Sequence, residues 1–217
     1  MHELILNHSK PNKMFSPTYE NNTIIFSHFI EYLHQFKNFN DRNLDSMHKY
    51  WSVRMAKKNE YLFTKDLKIE GFSIIIKGAV KLVATYKEKD IVFDLLTEGS
   101  FIEIKNEDID SHFSGYSAQC TEPTILMTIS RHHMRNLINE YPFFSNFFAE
   151  QKTQAARDLK SRMMSIRVLT AKERYEEICY GYPHLLNHFA LQDIASYLGI
   201  QAETLSRIRS ASLKKAS

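Results

Sequence analysis

Residues 191–210 have the sequence LQDIASYLGIQAETLSRIRS, and this stretch decides the fold. Gly199 lies where a tight turn needs a positive φ, which glycine adopts without a steric cost. The small or apolar residues on both sides recur at the spacing of two short helices that pack together: Ile194, Ala195, Leu198, Ile200, Leu205 and Ile208. This pattern predicts a helix-turn-helix, whose second helix enters the major groove of DNA. A helical hairpin inside an unrelated core, or one that binds another protein, is the alternative.

The outward face of the second helix is polar. Five residues on it are candidates for base contacts: Gln201, Glu203, Thr204, Ser206 and Arg207. Arginine can donate two hydrogen bonds to guanine, and glutamate can accept one from cytosine. Glu203 and Arg207 are four residues apart, so they can also pair along the helix, and such a pair can orient the arginine. We expect phosphate contacts from nearby basic residues: Lys172, Arg174, Arg209, Lys214 and Lys215.

The charge of the chain is concentrated at its C-terminal end. Residues 151–217 contain eleven Lys or Arg and six Asp or Glu, a net charge of +5. Since the whole chain carries +3, the preceding residues carry −2. A basic end behind a mildly acidic body indicates a region that binds a polyanion, although a solvated charged helix surface would have the same composition.

Residues 143–168 contain neither Gly nor Pro and predict one long helix. A narrow apolar stripe runs along it at intervals of three, four or seven residues: Phe148, Ala155, Leu159, Met163 and Ile166. Such a stripe needs a partner, either a second copy of the chain in a parallel dimer or the body of its own chain. Thr170 and Glu173 then form a Thr-x-x-Glu capping box, which predicts a further helix with Tyr175 and Ile178 on its apolar face, together with Val168 and Tyr182.

Residues 50–129 have a different pattern, with short runs in which apolar residues alternate. The runs are Phe72/Ile74/Ile76, Val80/Leu82/Ala84, Ile91/Phe93/Leu95 and residues 124–129. Gly71, Gly78 and Gly99 stand where turns are expected, so the region predicts a small β-barrel, roll or sandwich. We expect a mobile tail over residues 1–22, short helices near residues 23–36 and 130–141, and domains over residues 23–142, 143–168 and 169–217.

Composition excludes several classes of protein. The chain is 43% hydrophobic and 24% charged, as in ordinary globular proteins, and no segment is apolar enough for a membrane span or a signal peptide. Cys120 and Cys179 lack metal-ligand spacing. The histidines do not form the His-x-His pattern of a cupin-like metalloenzyme. We therefore expect a cytoplasmic protein that is not an enzyme and has no cofactor or metal, although the histidine count leaves haem sensing open.

The order of a β-roll, a long helix and a C-terminal helix-turn-helix resembles the Crp–Fnr family of bacterial transcription regulators over roughly residues 23–215. The most specific parts are residues 71–82 and residues 194–208, and the latter resemble members from Bacteroidetes-type bacteria. The resemblance implies an α+β fold with an antiparallel β-roll (double-stranded β-helix), a dimerisation helix and an all-α DNA-binding domain. It also implies a homodimer on palindromic double-stranded DNA, with RNA polymerase as a further partner.

The sequence departs from the cyclic-nucleotide-binding members of that family. They carry Phe-Gly-Glu followed by an arginine, whereas this chain has Phe101-Ile102-Glu103 and no arginine near residues 114–118. Lys105 can replace the charge of that arginine but not its fork of donors. The resemblance places a degenerate effector pocket at Phe101, Ile102, Glu103, Ser114 and Tyr116, so we expect no cyclic AMP binding. An unidentified small-molecule effector in the roll, acting on a hinge near residues 167–172, is the alternative.

Iron–sulfur-sensing members of that family use a cysteine cluster near the N-terminus. Residues 1–50 of this chain contain no cysteine, so we expect no sensing of that kind.

The family often adds a β-hairpin wing after the second helix of the helix-turn-helix. About seven residues follow Ser210, too few for two strands and a turn, so we expect no such wing here.

Overall fold

The computed structural model describes residues 19–37, 39, 47–64, 71–104 and 115–216. Within them, helix α1 (Tyr19–Leu33) and a short 3₁₀ helix (His48–Tyr50) precede the strands. The strands are β1 (Ser52–Ala56), β2 (Tyr61–Phe63), β3 (Gly71–Lys77), β4 (Val80–Tyr86), β5 (Lys89–Leu96), β6 (Phe101–Ile104), β7 (Gly115–Cys120) and β8 (Thr124–Ser130). The helices that follow are α2 (Arg131–Glu140), α3 (Phe143–Val168), α4 (Ala171–Gly181), α5 (Leu185–His188), α6 (Leu191–Tyr197) and α7 (Ala202–Ala216).

The strands form two antiparallel sheets, in the orders β1-β8-β3-β6 and β2-β7-β4-β5. Buried residues from both sheets form one interior cluster, which includes Ile75, Val80, Ile102, Ala118 and Leu126. The outer face of the first sheet packs against α1, α2 and the start of α3. The predicted α+β fold, with an antiparallel β-roll and C-terminal helices, is confirmed.

The predicted strand faces are correct for β3 and wrong for β5. Phe72, Ile74 and Ile76 contact the same outer cluster, as expected from their alternation. In β5 the pairing with β4 shifts register between Leu82 and Val83, which places an extra residue in β5. Leu95 therefore packs in the cluster that β4 and β5 share with the C-terminal helices, while Phe93 packs against the interior cluster and Ile91 is exposed.

Helix α1 also differs from its prediction. It begins at Tyr19 and ends at Leu33, whereas the sequence predicted a helix near residues 23–36. On this helix Ile24 is 58% exposed, whereas Ile25 and Phe26 are buried. The predicted tail over residues 1–22 lies outside the described residues as far as residue 18.

Gly78 shows why a glycine stands at the turn between β3 and β4. Its φ is +102°, and a Cβ atom there would lie 2.7 Å from the backbone oxygen of Pro123. Any other residue would combine an unfavourable φ with a steric clash. The turn therefore depends on glycine for both reasons.

The long helix and its successor follow the sequence closely. Helix α3 spans the predicted residues, and the capping box at the start of α4 is formed: the amide of Thr170 donates to Glu173 Oε2 at 2.7 Å, and the amide of Glu173 donates to Thr170 Oγ1 at 3.3 Å. The hydroxyl of Thr170 also donates to Glu173 Oε2, at 2.7 Å. The bond from the Thr170 amide, and after it the bond from the hydroxyl, lower the pKa of Glu173. Of the predicted apolar face, Tyr175 and Ile178 are buried. Val168 and Tyr182 are exposed, and both lie outside the bounds of α4.

None of the helices in the described part of the chain is both long enough and apolar enough to span a membrane. Cys120 and Cys179 are both free thiols.

Candidate nucleic-acid interface

Helices α6 and α7 form the predicted helix-turn-helix. Between them Gly199 has a φ of +68°, and the amide of Ile200 donates to the backbone oxygen of Ala195 at 3.0 Å, which closes the turn. The residues expected to pack the two helices together are buried: Ile194, Ala195, Leu198 and Leu205, with Ile200 and Ile208 half-buried. The N-cap residue of α6 is Ala190, whose side chain makes no capping hydrogen bond.

The predicted base-contacting residues share one exposed surface. Gln201, Glu203, Thr204, Ser206 and Arg207 are all exposed, and Leu205 between them is completely buried. The ion pairs found in the described part of the chain do not include one between Glu203 and Arg207. The guanidinium of Arg207 therefore faces solvent, where it can reach a base edge.

The predicted phosphate contacts fall into three groups. Lys172 and Arg209 are exposed, and Lys172 also lies 3.4 Å from the carboxylate of Glu176 one turn further along α4. Lys214 and Lys215 belong to the last turn of α7, but their side chains lie outside the described residues. Arg174 is the third case, and its predicted role needs correction.

The side chain of Arg174 donates hydrogen bonds to backbone oxygens of other segments of the chain. Its Nε donates to the backbone oxygen of Leu198 at 3.0 Å, and its Nη1 donates to those of Leu169 and Ile166 at 2.7 and 3.5 Å. The Nε and Nη1 donors of this guanidinium are therefore already used by backbone carbonyls next to the ends of α3 and α6. Arg174 instead joins the end of the long helix to the turn of the helix-turn-helix.

The apolar stripe of α3 divides into a buried and an exposed part. Phe148 is 4% exposed, because its ring packs against those of Trp51, Phe72 and Phe101. Its prediction as an interface residue is therefore wrong, since the outer face of the roll covers it. The remaining positions are exposed: Ala155, Leu159, Met163 and Ile166, with Met164 and Val168 beside them.

The described residues of the predicted effector pocket, Phe101, Ile102 and Glu103, contact other side chains of the chain. Phe101 packs against the rings of Phe72 and Phe148, with centroids 5.0 and 6.0 Å apart, and Ile102 is buried inside the roll. Lys152 of α3 places its Nζ 3.1 Å from Glu103 Oε1 and 5.1 Å from the centre of the Phe72 ring. Ser114 and the side chain of Tyr116 lie outside the described residues, as does Lys105. The sequence analysis missed Lys152, because only the fold brings α3 against β6.

The comparisons with known proteins agree with this architecture. Residues 53–141 match the family model of the cyclic nucleotide-binding domain. A structure described as that of a transcriptional regulator of the crp/fnr family from Eubacterium rectale has a TM-score of 0.61 at 12% identity, over 82% of this chain and 85% of that one. The chain has the Crp–Fnr fold.

Other proteins of similar structure agree with this assignment. A CooA mutant from Carboxydothermus hydrogenoformans has a TM-score of 0.63 at 15% identity, over 84% of this chain and 83% of that one. FixK2 from Bradyrhizobium japonicum has a TM-score of 0.61 at 16% identity, over 76% and 86%. A comparison with curated proteins found no match.

Within this Crp–Fnr fold, the helix-turn-helix packs directly on the roll. Lys81 of β4 lies 2.7 Å from Asp193 of α6, and the amide of Val92 in β5 donates to Ser196 Oγ at 2.9 Å. His188 Nδ1 lies 2.9 Å from Glu122 Oε1. The sequence gives no sign of these contacts, because their partners lie 66 to 112 residues apart.

Proposed function

We propose that this chain is a sequence-specific DNA-binding transcription regulator that acts as a homodimer in the cytoplasm. The observation that carries the proposal is the surface of α7, on which Gln201, Glu203, Thr204, Ser206 and Arg207 are all exposed while Leu205 anchors the helix. A helix held from beneath, with donors and acceptors on its free side, fits the major groove. We call α7 the recognition helix from here on.

Recognition divides between bases and phosphates. Arg207 supplies a fork of donors that matches guanine, and Glu203 supplies an acceptor for the amino group of cytosine. Phosphate contacts come from the exposed cations Lys172 and Arg209, and from Lys214 and Lys215 at the end of the same helix. These contacts fix the orientation of the protein but carry no sequence information.

Dimerisation follows from the exposed part of α3. Leu159 and Met163 are each 55% exposed, and Ile166 is 44% exposed, at the spacing of one helical stripe. Apolar side chains in this arrangement are buried when two such helices pack side by side. Two-fold symmetry then places two recognition helices about 34 Å apart on successive major grooves, so the operator is palindromic. RNA polymerase is the further partner of a regulator bound in this way.

The roll contributes structure rather than cyclic AMP sensing. The described residues of the predicted effector pocket already have partners within the chain: Phe101 packs against Phe72, Ile102 is buried in the roll, and Glu103 pairs with Lys152. A cyclic phosphate near Glu103 would have to compete for the Lys152 ammonium. We therefore assign DNA binding without cyclic AMP.

Selection of bound fragments from the source genome tests the proposal. The purified chain is mixed with sheared genomic DNA at moderate salt, and the retained fragments are sequenced. We expect a palindrome whose half-sites are one helical turn apart, with retention that weakens steeply as salt rises. The Arg207→Ala variant is the matched control and should enrich the same palindrome less. Failure to retain any fragment at any salt concentration would overturn the proposal in favour of a protein-binding module.

A further inference from the structure

The first helix of the helix-turn-helix, α6, is held by the roll through an apolar contact. Ala79, Val83, Val92 and Leu95 of the roll share one buried cluster with the C-terminal helices. The C-terminal members of that cluster are Tyr175, Ile178, Leu185, Phe189, Ile194, Ala195, Leu198 and Leu205. The core of the helix-turn-helix therefore continues into the β4–β5 edge of the roll.

Two polar contacts join the roll to α6 beside this apolar surface. The side chains of Lys81 and Asp193 are only 20% and 15% exposed, and their charged atoms are 2.7 Å apart. A pair this shielded from water is screened little by salt, and losing one partner would leave a charge with poor compensation. Strand β5 is the edge of its sheet, and Ser196 Oγ accepts the outward amide of Val92. Both contacts fix the rotation of α6 against the roll.

The long helix holds α6 from a second side. The guanidinium of Arg162 lies 4.2 Å from the centre of the Tyr197 ring, and burial lowers the pKa of Arg162. Arg162 adjoins Met163, which belongs to the exposed stripe of α3. Tyr197 is the last residue of α6, two positions before the Gly199 turn. The orientation of α6 is thus set jointly by the roll and by the helix proposed to dimerise.

Docking of α6 leaves the recognition surface open. The five candidate base-contacting residues of α7 are exposed while α6 is docked. Docking of α6 therefore does not cover the surface that would contact a base pair.

We infer that Lys81, Asp193, Ser196 and Arg162 form a clamp that fixes the recognition helix relative to the dimer axis, and thereby selects the spacing between operator half-sites. The inference rests on the proposed DNA-binding function. The clamp is formed by groups of this chain, so we expect it to select the spacing in the absence of an effector. These four are positioning residues: they contact α6 or belong to it, and none lies on the exposed face of α7.

Measuring affinity against half-site spacing tests the clamp. Two copies of the selected half-site are placed at the natural separation and at separations one to four base pairs longer or shorter. We expect wild-type affinity to fall by about tenfold or more when the spacing changes by two base pairs, a change in binding free energy of about 1.4 kcal/mol. Lys81→Met and Ser196→Ala should each flatten this profile while the preferred bases within a half-site stay the same.

A charge exchange and a surface variant keep the test specific. Combining Lys81→Asp with Asp193→Lys restores an opposite pair and should restore the narrow spacing profile. Lys89→Met removes an exposed lysine from the start of β5 and should leave the profile unchanged. Unfolding curves identify any variant that fails to fold. If a single variant fails to fold, the spacing profile of the double variant Lys81→Asp with Asp193→Lys decides the result. Variants with the wild-type spacing profile overturn the clamp alone, whereas a wild-type chain that binds no DNA overturns both the clamp and the proposed function.

Discussion

Arg174 donates from its Nε to the backbone oxygen of Leu198, 3.0 Å away, and so joins α4 to the last turn of α6. The same guanidinium donates to Leu169 at the end of α3. A second side-chain bond joins α3 to α4, because Ser165 Oγ donates to Glu177 Oε2 at 2.6 Å. The segment between α3 and α4, predicted as a hinge, is therefore crossed by two side-chain bonds.

Replacing Arg174 by lysine should destabilise the fold. A single ammonium cannot reach the oxygens of Leu198 and Leu169 together, so we expect the free energy of unfolding to fall by about 1.5–3 kcal/mol. Urea denaturation measures this change. Arg167→Lys, at an exposed position of α3, is the control and should have little effect. Unchanged stability, together with affinity lowered alike for all DNA sequences, would restore the phosphate role predicted from the sequence.

Arg207→Ala should weaken binding to the selected operator by about 1–3 kcal/mol and relax the preference at one base pair. The physical reason is the loss of two directed hydrogen bonds to one base. Fluorescence anisotropy on the operator and on single-base variants measures both effects. Lys172→Ala is the comparison, because loss of a phosphate contact weakens all sequences alike. Equal losses for Arg207→Ala on operator and scrambled DNA would show that Arg207 does not contact a base.

The sequence was informative wherever the decisive interactions are local. The helix over residues 143–168, the capping box and the helix-turn-helix follow from periodicities and spacings of a few residues, and the structure contains all three. The pairing shift that turns Phe93 to the roll interior is not local, because it depends on the register with β4. Alternation alone could not show it.

Arg174 and Phe148 show the same limit at the candidate site. A basic residue in a basic segment looks like a phosphate ligand until the carbonyl of Leu198, 24 residues away, is placed beside it. Phe148 lies in register with the apolar stripe of α3, but only the packing of the roll shows that Trp51 and Phe72 already cover it. Periodicity identifies a face, and the tertiary fold decides what covers that face.

Leu159→Glu should weaken the proposed dimer by about a hundredfold or more, which is about 2.8 kcal/mol, because it would bury a carboxylate without a partner. Sedimentation equilibrium measures the dissociation constant. Ile24→Glu is a matched control, since Ile24 is 58% exposed on α1 and Leu159 is 55% exposed. Phe148→Ala should instead lower stability by about 3–5 kcal/mol, because it leaves a cavity under the roll. A strictly monomeric wild-type chain would refute the dimer.

Cyclic AMP should not raise the melting temperature of the chain, because Phe101, Ile102 and Glu103 are already engaged by other side chains of the chain. A ligand that binds only the folded state stabilises it by RT ln(1 + [L]/Kd), so a thermal-shift titration detects binding directly. Glu103→Gln removes the charge paired with Lys152 and should lower stability by about 1 kcal/mol or less, since the Lys152 side chain is 48% exposed. A melting temperature that rises with the logarithm of the cyclic AMP concentration would contradict the proposal and show that the roll binds a ligand.

Glu173→Gln should change how stability depends on pH. The amide and hydroxyl of Thr170 lower the pKa of Glu173 below its ordinary value of about 4.3. The charged form therefore stabilises the folded state fully above about pH 4.3, and this stabilisation is lost as the pH falls through the lowered pKa. We expect the stability advantage of the wild type over Glu173→Gln at neutral pH to shrink steadily below about pH 4. Glu150→Gln, at an exposed position of α3, supplies the baseline, and an advantage independent of pH would show that the carboxylate charge at the capping box does not contribute.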